Sequence, residues 1–198
     1  MEHINYEFEV PAGYREVFHF DAKDRKDAVK MTIWAFIIMV IAVVLVILGA
    51  DFKQIDMDHV FKYYAVWIVS MIVYIVLHEL VHGAVYKALT HRKLTFGITW
   101  SAAFCGVPDI YVYRNTALAS LVAPLTVFTV LLVPITLWLR SVDMGWYMVS
   151  GLLFAIHISG CAGDLYITKM LLTKYKDPRI LMRDTGPAQW IFEPEDAA

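Results

Sequence analysis

Four long apolar segments, at residues 31–50, 63–86, 117–139 and 146–167, constrain this chain more than any other feature. A helix needs roughly 20 apolar residues to cross a hydrocarbon layer about 30 Å thick, and each segment is long enough. Composition agrees, since 59% of the 198 residues are hydrophobic and only 18% are charged. Soluble domains carry about 25% charged residues. The expected fold class is therefore an all-α polytopic membrane protein with about four transmembrane helices, a small cytoplasmic-side β-hairpin and short polar termini. Three parts are expected: a polar cytoplasmic N-terminal segment over 1–30, a transmembrane domain over 31–172, and a cytoplasmic tail over 173–198.

The basic residues set the expected orientation. Fourteen of the 17 fall in the N-terminal segment, in the connection after the second apolar segment, or after the fourth; the exceptions are Lys53, Lys62 and Arg140. Basic residues accumulate on the cytoplasmic side of short loops, so both termini are expected there, in a protein of the cell membrane. Residues 1–30 lack a short apolar run with a small-residue cleavage site, so no cleaved signal is expected. A net charge of −2 gives no basic signal for nucleic acid. Cys105 and Cys161 imply no disulfide framework.

Between the second and third segments, 94–100 partly alternates, 105–109 carries a turn signal and 110–113 is β-branched and aromatic, which predicts a hairpin across 94–113. In the tail, two short extended pieces are expected around Asp184-Thr185-Gly186-Pro187. No function can be read from the tail.

The second segment interrupts its apolar run with His78-Glu79-Leu80-Val81-His82. Histidines at i and i+4 share one helix face and can reach a single zinc ion. Glu79, one residue on, is the candidate general base that takes a proton from water and returns it to a leaving amine. A carboxylate within a membrane helix costs roughly 2.5–3.5 kcal/mol, and such groups usually mark functional sites. Ser70, Tyr74, His78, His82 and Tyr86 recur every four residues as a polar stripe. Tyr74 is a candidate secondary contact, with the alternative that it and Ser70 satisfy each other or nearby backbone.

Catalytic zinc usually takes three protein ligands and keeps one position open. The fourth segment offers His157, Cys161 and Asp164, which an unbroken helix would place on one face. Asp164 lies five residues before Lys169 and His82 five before Lys87, which matches their depths. His157 lies seven residues further back, roughly 10 Å deeper at 1.5 Å per residue. Asp164 is therefore preferred as third ligand, with His157 as a secondary polar contact.

This pattern resembles the site-2-protease-like intramembrane metalloproteases, and looks closest to a small branch described as zincin peptidases. The resemblance covers nearly the whole chain, although its specific part is the HExxH. It implies zinc ligation by His78, His82 and Asp164, catalysis by Glu79 and one catalytic zinc ion. It also implies a membrane protein substrate cut near the cytoplasmic face. The Asn-Pro-x-Pro and Leu-Asp-Gly context of better-known members is missing here, and there is no room for a PDZ-type domain. Two other readings stand beside this one. The first is a non-catalytic membrane protein whose zinc is structural, closed by His157 or Cys161 as fourth ligand. The second is a metal transporter or sensor, which would need a chain of ligands across the bilayer.

Overall fold

A computed structural model describes residues 5–99 and 103–196. The chain is mostly helical, with β1 Tyr6–Glu7, β2 Tyr14–Asp21, α1 Arg25–Leu48, α2 Val60–Thr90, β3 Thr95–Ile98, β4 Ala103–Gly106, β5 Tyr111–Tyr113, α3 Arg114–Val142, α4 Met144–Gly160, α5 Ala162–Thr173, β6 Leu181–Asp184 and β7 Ala188–Pro194. It folds as two compact units. One comprises Met1–Lys30, His78–Pro124 and Asp164–Ala198, the other Met31–Leu77 and Leu125–Gly163.

Among the described residues three helices, α1, α2 and α3, are long and apolar enough to cross a membrane, and α4 with α5 makes a fourth candidate if the broken pair is one span. The Asp24 carboxylate accepts from the Lys26 N–H at 2.8 Å, which caps the entry to α1. Asp143 does the same for α4, accepting from the Trp146 N–H at 2.9 Å. Pro124 and Pro134 both fall inside α3 without ending it.

The fourth apolar segment departs from expectation. It stops at Gly160 and restarts at Ala162, with the Cys161 N–H turned onto the carbonyls of His157 and Ser159. The expected continuous face of His157, Cys161 and Asp164 is therefore broken. Four small residues in a row, Gly160 to Gly163, leave little side-chain packing to hold the helix straight there.

The first unit carries the β structure. Its five-stranded sheet has the order β1-β5-β6-β7-β2, with antiparallel pairing throughout. The two polar ends of the chain thus meet: β2 pairs with β7 from Tyr14↔Pro194 to Asp21↔Ala188. A bulge between Glu16 and Phe18 interrupts that ladder, and the Val17 carbonyl accepts from the Tyr175 hydroxyl at 3.0 Å. Val112, Met182 and Ile191 form one inward row of the sheet and pack in a core with Ala117, Leu121, Ile167 and Leu171 of α3 and α5.

The hairpin between α2 and α3 differs from its predicted form. β3 pairs with β4 in a separate two-stranded sheet, Thr95↔Gly106 to Ile98↔Ala103. Cys105 and Gly106 lie in a strand rather than a turn, and Tyr111–Tyr113 joins the larger sheet. The partner of β3 is thus Ala103–Gly106, whose second half overlaps the predicted turn. In the tail, β6 and β7 flank the turn at 185–187 as its sequence suggests.

The second unit is helical apart from two short 3₁₀ turns, Phe52–Gln54 and Met57–His59. A small cluster of Val46, Met144 and Tyr147 forms its buried core, with the Tyr147 hydroxyl donating to the Val46 carbonyl at 3.0 Å.

Candidate metal centre

The helical register of α2 puts His78 and His82 one turn apart, and their Nε2 atoms lie 3.2 Å from each other. The first turn of α5 brings in Asp164, whose Oδ2 lies 3.5 Å from His78 Nε2 and 3.3 Å from His82 Nε2. Both histidines are buried. Zinc at about 2.0–2.1 Å from tetrahedral ligands separates those ligands by about 3.3–3.4 Å. The observed triangle has edges of that size, so the donor set fits one face of a zinc tetrahedron.

Protonation geometry agrees with that fit. His82 Nδ1 lies 2.9 Å from the Ser120 carbonyl, an acceptor only, so Nδ1 carries a proton and donates it. This leaves the lone pair of the neutral ring on Nε2, facing His78 and Asp164. A buried carbonyl that fixes the ring of a metal-ligating histidine is the usual supporting contact of such sites.

Glu79 lies partly buried beside the cluster and accepts a hydrogen bond from the Cys105 backbone N–H of β4. Gly83 makes room for that strand. A Cβ at Gly83 would lie 2.8 Å from the Phe96 ring, 3.1 Å from Leu94 and 3.3 Å from the Cys105 Sγ. Absence of a side chain just after His82 thus lets the β3–β4 hairpin rest on the HExxH turn.

Tyr74 and His157 belong to the other unit and meet each other there. The Tyr74 hydroxyl lies 3.0 Å from His157 Nδ1, and the Thr129 hydroxyl lies 3.1 Å from Nε2. Cys161 Sγ approaches Nδ1 at 3.8 Å. Tyr74 thus meets a histidine on α4.

Sequence reasoning missed two contributors, the Ser120 carbonyl and the Cys105 N–H. Both act through backbone groups, which no residue type advertises.

A mostly helical chain that gathers two histidines of an HExxH and a carboxylate into a zinc-sized triangle has the form of a zincin-type metallopeptidase site. A family model described as "Putative zincin peptidase" matches residues 71–178, more than half of the chain, and the chain belongs to that family. That description points to a zinc-dependent metallopeptidase. Neither the curated proteins nor the solved structures give a match.

Proposed function

We propose that this chain is an intramembrane zinc-dependent endopeptidase. In this reading it hydrolyses membrane-embedded or membrane-proximal segments of other proteins near the cytoplasmic face, in the cell membrane, with both of its own termini cytoplasmic. The observation that carries it is the convergence of His78, His82 and Asp164, with Glu79 one residue along the same helix.

His78, His82 and Asp164 would hold the ion, leaving a fourth position for water or substrate. The chemistry a bound zinc ion supplies is Lewis acidity toward water and the scissile carbonyl. Glu79 takes the proton of the attacking water and returns it to the leaving amine nitrogen. The Cys105 N–H holds the Glu79 carboxylate in one orientation. Ser120 keeps the His82 ring in the tautomer that leaves Nε2 unprotonated.

Helical substrates shield their peptide bonds, so a segment must be extended before it is cut. Among the described residues strand β3 pairs with β4 alone, and Phe96 and Ile98 on it are exposed. Its open edge suits addition of an extended peptide by main-chain hydrogen bonds. Orientation rests on the bias of basic residues, and reporter fusions test it. Fusions after Lys30, Arg92 and Lys176 should report cytoplasm, and one at Asp143 the outside. An external signal at Arg92 overturns the four-span reading.

The deciding experiment is metal analysis of the purified chain with and without Glu79→Gln. The parent should carry one zinc ion. The variant should keep it while cleavage of a membrane substrate falls about 10²–10⁴-fold. Undiminished cleavage sinks the mechanism, and loss of zinc would make Glu79 a ligand.

A further inference from the structure

Tyr86 follows His82 by one helical turn and is almost wholly buried. Its hydroxyl donates to Asp184 Oδ2 at 2.8 Å and is also hydrogen-bonded to the Ser120 hydroxyl. Ser120 is the residue whose carbonyl receives His82 Nδ1. Tyr86 and Ser120 thus stand between Asp184, on β6, and a histidine of the metal centre, the last contact being made by the Ser120 main-chain carbonyl.

Asp184 also reaches the hairpin. Its main-chain carbonyl accepts from the Val107 N–H at 2.8 Å, two residues beyond the Cys105 N–H that meets Glu79. Its other carboxylate oxygen accepts from the Gly186 N–H at 2.8 Å, which closes the 184–187 turn. That turn is pressed against β4. A Cβ on Gly106 would come within 2.4 Å of the Gly186 nitrogen, and one on Gly186, at φ +93°, within 2.1 Å of the Phe104 ring. Neither position takes a side chain unless the turn or the Phe104 ring shifts.

A buried carboxylate is costly unless its partners hold it, and none of Asp184's hydrogen-bond partners here is a cation. Burial pushes its carboxyl up to about 6. An apolar residue would fill the core at lower cost. What the carboxylate adds is geometry: it accepts from helix α2 and from its own turn at once.

We propose that Asp184 is a positioning residue for the metal centre. Through Tyr86 and Ser120 it fixes the His82 ring, and through the 184–187 turn it braces the strand that holds Glu79. This inference rests on the metallopeptidase reading above.

The test measures zinc affinity by chelator competition on the full-length chain in detergent, with zinc alone as ligand, beside thermal unfolding. Tyr86→Phe and Asp184→Ala should each weaken zinc about 10–100-fold, the usual cost of removing a contact that orients a ligand. Asp184→Asn should bind close to the parent. Its amide oxygen can accept from Gly186, and its NH₂ can donate to the Tyr86 oxygen. A merely structural role would lower the unfolding temperature without changing the affinity of the folded protein. Should Asp184→Ala fail to fold, Tyr86→Phe decides alone. Variants that bind zinc as tightly as the parent overturn this inference only. A parent that binds no zinc overturns the metallopeptidase reading and this inference with it.

Discussion

His82 and His157 are both buried helix residues with both ring nitrogens engaged, yet their surroundings differ in kind. In the first unit, His82 gives one nitrogen to a carbonyl and turns the other toward a second imidazole and a carboxylate. In the second unit, His157 meets the hydroxyls of Tyr74 and Thr129 inside a ring of Phe128, Phe154 and Tyr74. Hydroxyls can donate or accept, so they suit either tautomer and impose no charge. The atoms around His82 Nε2 are acceptors that crowd together without protons between all of them. Such a cluster calls for a cation, whereas both ring nitrogens of His157 meet hydroxyls. Burial alone does not separate the two histidines. The neighbours' donor and acceptor character does.

Zinc stoichiometry gives the largest contrast. Asp164→Ala should lose or greatly weaken zinc, and His157→Ala should retain it. The reverse result would assign the third ligand to His157 and erase the distinction between the two sites.

Next in size is the pH response of the first unit. Burial raises the Asp184 carboxyl from 3.8 to about 6. A carboxyl whose folded pKa is raised contributes stability that is fully present below about pH 4 and is lost as pH rises through about 6. Two units correspond to about 3 kcal/mol. Stability measured against Asp184→Asn should therefore fall by about that amount between pH 4 and 7. A constant difference across that range would mean the carboxyl is not buried as described.

Gly83→Val tests the contact between the hairpin and the HExxH turn. Overpacking costs about 1–3 kcal/mol. Here the strain falls on Phe96, Leu94 and Cys105, so cleavage should drop further than unfolding temperature does. Equal cleavage rates would detach the hairpin from the site.

The smallest effect is expected in the second unit. Thr129→Ala removes one hydroxyl from His157 and should cost about 0.6 kcal/mol, with zinc content unchanged. A loss of zinc in this variant would extend the metal centre beyond the first unit.

The parts of this molecule that sequence displays are those written in local periodicity. The apolar helices show in runs of 20 or more residues, and the His78, Glu79 and His82 cluster lies within one helical turn. Asp164 is separated from His82 by 82 positions, and counting residues to the flanking lysines suggested that both lie at one level. β5, β6 and β7 read as extended pieces, but nothing local says that they share one sheet, and β1 has two residues, too short for any alternation to register. β2 finds its partner more than 160 residues later, which no local pattern announces. The break at Cys161 was hidden because Gly, Cys and Ala are equally at home in a packed helix and at its interruption.

The pairing of β2 with β7 also sets a clock on folding. At the edge of its sheet, β2 has no neighbour but β7 among the described residues, and 166 residues separate Asp21 from Ala188. At about 5–20 residues per second, a ribosome takes roughly 10–30 s to make that stretch. Throughout that interval β2 is a strand without a ladder, and Tyr86, once made, is a hydroxyl without its carboxylate until Asp184 follows. All five helices, α1 to α5, are complete before the sheet can close. Assembly of the centre thus waits on nearly the whole chain, so a nascent chain carries its HExxH motif long before the bracing that orders it.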